Sequence, residues 1–143
     1  MWPWGKRRRA DRGRRAGRGE TADLGRRGER LAARTLKCGG MRILARNYRC
    51  PPGEIDLIAL DRTTRRSFGA ETIVFVEVKT RRDARHEDPR WALHAGQQRR
   101  MERAAEYYLS RHETEGLNVR FDMVTVAFGA GVRPEVRHFR DVF

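Results

Sequence analysis

Apolar residues follow two different periods along this chain. Leu24, Gly28, Leu31, Ala32, Thr35 and Leu36 form one stripe at 3.6-residue spacing. That stripe predicts a helix from Leu24 to Leu36, stopped by Gly39-Gly40. Beyond the glycines the pattern becomes extended. Residues 41–49 predict a strand, Pro51-Pro52-Gly53 a turn, and residues 54–60 a second strand. The second run is apolar on both faces after its start, which makes it central in a sheet. Residues 61–72 read as a charged loop, long enough to be an extended hairpin tip. Residues 73–79 are rich in β-branched side chains and predict a third strand. Residues 80–90 are polar and irregular. Residues 91–110 predict a second helix, with Leu93, Met101, Ala104, Ala105 and Tyr108 on one face. A fourth strand spans 119–128, a turn 129–134, and a last strand 136–143. The order helix, three strands, helix, two strands describes a mixed α/β domain.

The length of 143 residues suits one domain, and 38% hydrophobic residues supply one core. No apolar run nears the ~20 residues that cross a bilayer, so no membrane partner is expected. The first residues, Met1-Trp2-Pro3-Trp4-Gly5, lack the apolar stretch of a secretory signal. Cys38 and Cys50 are too few for a disulfide framework or a four-cysteine zinc site. His86, His94, His112 and His138 show no paired metal spacing. The expectation is a cytoplasmic domain with reduced thiols.

Charge adds a partner. Lys plus Arg number 32 against 19 Asp plus Glu, a formal net charge of +13. A small domain this basic points to a polyanion, nucleic acid before all others. The skew also has a bland source: all but Lys6, Lys37 and Lys79 of these basic residues are arginine, as coding bias would give. Residues 1–22 hold a dense basic run with little apolar residue, and they read as a disordered tail preceding a domain at 23–143. Such a tail can hold phosphates without sequence preference.

Candidate chemistry lies in acids set within apolar strands. Asp56 precedes Leu57-Ile58-Ala59-Leu60. Glu77 sits between Val76 and Val78, and Lys79 follows two positions on. Strand alternation puts Glu77 and Lys79 on one face with Ile73 and Phe75. Buried charges need partners. Two converging carboxylates beside a lysine make a hard-cation site suited to Mg²⁺ or Mn²⁺. The plain alternative is a structural ion pair at a strand end; Glu135-Val136-Arg137 has the same Glu-x-basic spacing. Lysine, scarce in this chain, is the basic residue whose pKa shifts readily for catalysis.

Several segments together resemble a known family. They are Gly28-Glu29, Asn47-Tyr48-Arg49, Gly53-Glu54-Ile55-Asp56-Leu57-Ile58, Val74-Phe75-Val76-Glu77-Val78-Lys79-Thr80-Arg81 and Arg120-Phe121-Asp122. In this order they look like the YraN-like family, a relative of archaeal Holliday-junction resolvases in the PD-(D/E)XK nuclease superfamily. The resemblance covers about residues 24–143. It implies a restriction-endonuclease-like αβββαβ core, with a mixed central sheet flanked by helices. It also implies that Asp56 and Glu77 are metal ligands, that Lys79 positions or activates water, and that Glu29 reaches in from the first helix. Without the resemblance Glu29 reads as an exposed helix acid among arginines. Glu54, at the start of the same strand, reads as a turn acid or a supporting acid behind the metal ligands.

Two segments depart from the family pattern. Gln97 stands where the family usually has a lysine, and it reads either as a phosphate or water holder or as a satisfied half-buried amide, with the amide preferred. Residues 85–90 lack the usual glycine-rich loop. Arg81, Arg82, Arg99, Arg100 and Arg103, with Gln97, are the candidate nucleic-acid contacts; the alternative is a solvated basic face. The functional expectation is a metal-dependent endonuclease acting on DNA ahead of RNA, with branched or junction structures as substrate. A non-cleaving nucleic-acid-binding module, or an adaptor in repair or replication, is the alternative. Resolvase relatives imply a two-fold homodimer.

Overall fold

The computed structural model describes residues 8–82, 93–129 and 131–143, with side chains from residue 17 onward. Helix α1 spans Arg8–Cys38. Strands β1 (Met41–Cys50) and β2 (Gly53–Asp61) follow, then a 3-10 turn at Arg62–Thr64 and the short helix α2 (Arg65–Phe68). Strand β3 (Thr72–Arg81), helix α3 (Ala95–Leu109) and strands β4 (Asn118–Ala127) and β5 (Glu135–Phe139) complete the chain. The sheet order is β1-β2-β3-β4-β5, parallel at β3–β4 and antiparallel elsewhere. This mixed sheet with flanking helices has the element order of the restriction-endonuclease-like core.

The predicted apolar stripe is the buried face of α1. Gly28, Ala32, Ala33 and Leu36 are buried, and the last three pack on Leu57, Ala59, Val74, Val76, Val124 and Val126. The opposite sheet face carries Ile55, Ile58, Ile73 and Phe75 against Ala104, Ala105 and Tyr108 of α3. β2 and β3 are therefore apolar on both sides, as strands covered by a helix on each face must be. A smaller cluster joins Leu93, Met101 and Met123 beside Phe139, Val142 and Phe143.

Four boundaries differ from the sequence reading. α1 begins at Arg8, inside the stretch 1–22 read as a disordered tail. Its residues 17–23 are exposed, so the favourable propensities of Arg, Ala and Glu extend the helix beyond its packed part. The loop after β2 is no plain hairpin tip. Asp61 caps the 3-10 turn by accepting from the Thr63 N–H, and α2 ends at Gly69 with φ 72°. The predicted start of the second helix at Trp91 lies outside the described residues; α3 begins at Ala95, after His94 in an extended conformation. β5 ends at Phe139, and the chain then folds over the sheet, where Phe143 stacks on Phe121 at 4.7 Å.

α1 approaches β3 closely at Gly28. A Cβ added there would lie 2.0 Å from Thr80 Oγ1 and 3.0 Å from Thr80 Cβ. Gly28→Ala should therefore destabilise the fold by about 1–3 kcal/mol, the usual cost of overpacking. Urea denaturation measures it, and Thr80→Ala on top should recover part of the loss. Equal stability of Gly28→Ala and the parent would refute this packing.

Candidate active site

The site forms where β2 and β3 part. Their last paired residues are Leu57 and Val76. One residue further out, Asp56 turns its carboxylate into the gap, and Oδ2 accepts the Val78 N–H at 2.7 Å. A side chain thus satisfies a backbone donor that a continued ladder would have paired. β1 changes at the same level. Tyr48 pairs with Ile55 and Arg46 with Leu57, while Asn47 between them takes a left-handed backbone with φ 49°. Asparagine tolerates that region better than most residues.

Glu77 and Lys79 lie on the α3 face, as alternation requires. Glu77 Oε1 is 3.0 Å from Lys79 Nζ and accepts from Gln97 Nε2 at 2.7 Å. Both side chains of this pair are largely buried, which makes their contact stronger than a surface ion pair. Gln97, on the first turn of α3, is half-buried and has its amide satisfied. It nonetheless reaches the site, where it orients the Glu77 carboxylate. The sequence offered a satisfied half-buried amide or a phosphate or water holder at Gln97, and carried no sign of this partner.

Asp56 is the electrostatic centre. Its carboxyl is pushed up from 3.8 to about 7, first by burial and then by the Glu77 charge, against the lowering effect of the Val78 N–H. Glu29 and Glu54 add smaller upward pushes. Four acids from α1, the start of β2, and β3 therefore converge in the field of one another. Glu29 is half-buried on α1 and accepts from Asn47 Nδ2 at 3.1 Å. Glu54 is exposed and pairs with Arg49 across the hairpin at 3.4 Å.

The donor set suits a small hard cation. Asp56 and Glu77 are oxygen ligands pressed together at a cost that positive charge would relieve. Among the described residues no group of three or more His, Cys, Asp or Glu is arranged as a metal cage. Mg²⁺ needs none, since one or two carboxylates with water and phosphate oxygens complete its shell.

The arginines are placed unevenly. Arg81 is half-buried at the end of β3, and its carbonyl accepts from the Phe128 N–H. Arg82 is exposed and lies 3.4 Å from Glu20 of α1. Arg99, Arg100 and Arg103 are exposed on α3, the helix that carries Gln97. A separate group of arginines, unremarked in the sequence, lines an open cleft of about 190 Å³ between α1 and β1. Its walls are Arg26, Glu29, Arg30, Arg46, Asn47 and Leu57.

A second ionic cluster lies at the other end of β2. Arg120 reaches Asp122 through Nε at 2.7 Å and Asp61 through Nη2 at 3.1 Å. Asp122 also meets His138 Nε2 at 2.7 Å and accepts the Asp141 N–H at 3.0 Å. Asp61 and His138 join this cluster from 59 and 16 positions away along the chain from Arg120 and Asp122 respectively. Both aspartates are fully buried with every bond satisfied, and the cluster welds β2, β4 and β5 together.

Comparison with known proteins agrees with the segments that carry the resemblance. A family model described as "Uncharacterised protein family UPF0102" matches residues 28–126. A UPF0102 protein of Pelobacter propionicus is 36% identical over 94 residues, covering 66% of this chain and 63% of its own. A relative in Syntrophotalea carbinolica is 42% identical over 93 residues, 65% of this chain and 68% of its own. Another in Symbiobacterium thermophilum is 43% identical over 91 residues, 64% and 70% of the two chains. The chain thus spans under two thirds of the first of these relatives. The matched region runs from Gly28 on α1 through Asp56, Glu77, Lys79 and Gln97 to Val126 on β4. Built on that sheet and carrying those residues, the chain belongs to UPF0102, the YraN-like family.

Proposed function

We propose that this protein is a divalent-metal-dependent phosphodiesterase acting on DNA. The observation that carries this reading is Asp56, set between two parting strands with its carboxylate in the field of Glu77. A fold seeking only stability has no use for two such charges side by side. Mg²⁺ or Mn²⁺, held by Asp56 and Glu77, would supply charge neutralisation at a phosphoryl oxygen and acidify a bound water.

The chain's own groups do the rest. The Val78 N–H fixes the Asp56 carboxylate, and Gln97 with Lys79 fixes Glu77. Fixed ligands need no rearrangement during reaction. The Lys79 ammonium would orient an attacking water and offset charge that develops on the phosphate. Glu29 adds a carboxylate from the α1 side, where it can accept a proton from water. The exposed arginines of α3 face outward for phosphate contacts.

Cleavage of labelled branched, flap, single-stranded and duplex DNA, with Mg²⁺, Mn²⁺ or EDTA, tests the proposal. Metal-dependent cutting should appear and be lost in Asp56→Ala/Glu77→Ala. Calorimetric Mn²⁺ titration of the two proteins should show the same loss. Equal cutting by both would mark a contaminant and sink the assignment. DNA binding without cleavage, insensitive to both carboxylates, would instead show a non-catalytic binding module.

A further inference from the structure

Of the residues lining the cleft between α1 and β1, only Glu29 enters the nuclease reading; Arg26, Arg30 and Arg46 do not. Arg26 and Arg30 stand four residues apart on α1 and so share one helix face. Arg46 and Asn47 are neighbours in β1 and should point to opposite sheet faces. Both line the cleft all the same. The left-handed backbone of Asn47, φ 49°, interrupts the alternation and lets both residues serve one cavity. Strain of this kind gathers at functional sites.

The lining decides the ligand. Three arginines and one carboxylate line it, and that carboxylate, Glu29, is tied to the Asn47 amide at 3.1 Å. Arg26 also meets Asp23 at 3.2 Å, but both side chains are more than 60% exposed, and such pairs yield easily. Guanidinium forks match phosphate oxygens in bidentate geometry. At about 190 Å³ the cleft is smaller than the ~300–1,000 Å³ of sites that enclose small molecules. It suits a backbone phosphate and its sugar better than a whole cofactor. Its position also fits, because Glu29 of the lining adds to the field at Asp56, and Leu57 of the lining follows Asp56 on β2.

We infer that this cleft is a phosphodiester-binding subsite, in which Arg26, Arg30 and Arg46 hold the nucleic-acid backbone beside the carboxylate pair. The inference rests on the nuclease reading for its substrate, but backbone binding does not require cleavage. It extends the nucleic-acid footprint from α3 to the opposite face of the sheet, with the carboxylates between.

The test is equilibrium binding in EDTA, read by fluorescence anisotropy over a range of salt. The probes are labelled DNA and RNA duplexes of one sequence. Arg30→Gln/Arg46→Gln is compared with the parent and with Arg65→Gln/Arg66→Gln. The last pair removes the same charge from exposed α2, beside the Asp61 end of the sheet. Each phosphate contact contributes about 0.9 to the slope of log K against log salt on duplex DNA. The cleft variant should flatten that slope by about one for each arginine, and the α2 variant should leave it near the parent's. An unchanged slope in the cleft variant overturns the subsite. Equal flattening in both variants also overturns it, as general electrostatics. Flattening confined to RNA supports the cleft and overturns DNA as its ligand. Flattening on DNA in a protein that cuts nothing supports the cleft while the nuclease reading fails.

Discussion

Asp56→Asn should make the metal-free protein more stable at pH 8 while removing its response to Mn²⁺. The carboxyl of Asp56 is pushed from 3.8 to about 7 by burial and by Glu77. A carboxyl raised in the folded state costs nothing below about pH 4, where folded and unfolded chains are both protonated. The cost grows as pH rises and is complete above about 7, where both are ionised. At ~1.4 kcal/mol for each tenfold change in proton affinity, its upper bound is on the order of 4 kcal/mol. Asparagine removes the charge and keeps an oxygen to accept the Val78 N–H. Thermal unfolding in EDTA should show the parent losing stability from pH 5 to pH 8 relative to the variant. At pH 8 the variant should melt several degrees higher. Mn²⁺ should raise the parent's melting temperature and leave the variant's unchanged. A variant less stable than the parent at pH 8 would show Asp56 to be a structural ligand of the fold and refute the strained pair.

Arg120→Met should have the opposite effect and a comparable size. It leaves Asp61 and Asp122, both fully buried, without their shared cation. Breaking a buried ionic cluster by removing one partner costs about 3–5 kcal/mol, because the remaining charges stay desolvated. Burial alone would raise both aspartates. Bonds from Thr63 and Arg120 at Asp61, and from His138, Arg120 and the Asp141 N–H at Asp122, reverse this and hold both below the ordinary value. A depressed carboxyl contributes stability that is present above about pH 4 and is lost as pH falls through the folded pKa. Urea denaturation at pH 7 should show the full loss, and the gap between variant and parent should narrow in acid. Adding Asp61→Asn and Asp122→Asn to Arg120→Met should restore part of the stability at pH 7. A loss under about 1 kcal/mol at pH 7 would mean that the cluster contributes little.

Stability and candidate chemistry thus sit at opposite ends of β2. At Asp61 the acid is met by a guanidinium and a capped turn; at Asp56 it is met by another acid. The contrast explains why only one of the two aspartates on this strand points to function. Both are acids beside apolar runs, so composition and spacing treat them alike.

The local features were legible in the sequence. Alternation within residues 73–79 put Glu77 and Lys79 on one face, and Gly39-Gly40 and Pro51-Pro52-Gly53 marked the turns. The acid-bearing starts and ends of apolar strands singled out Asp56 and Glu77. Gln97, Asn47 and the arginine cleft were less legible. Gln97 stood out as a departure from the family pattern, but nothing along the chain pointed to Glu77 as its partner. Asn47 looked like any polar strand position, since nothing in its neighbours announces a positive φ. Arg26, Arg30 and Arg46 were three arginines among many.

What the chain determines by itself is set by short-range periodicity and stereochemistry. Spacing of 3.6 or 2 residues fixes which side chains share a face, and glycine and proline fix where elements stop. Those rules reach only a few residues along the backbone, so they delivered the strands, the helices and the turn between β1 and β2. Tertiary structure decided which strands meet and where they separate. The parallel β3–β4 pair, the gap after Leu57 and Val76, and the union of Asp61 with Arg120 across 59 positions all depend on sheet order and helix packing. The site arises from that long-range geometry. Asp56 comes under the influence of Glu29 and of Glu77, which Gln97 holds, only because two helices close on opposite faces of a sheet whose strands part between them.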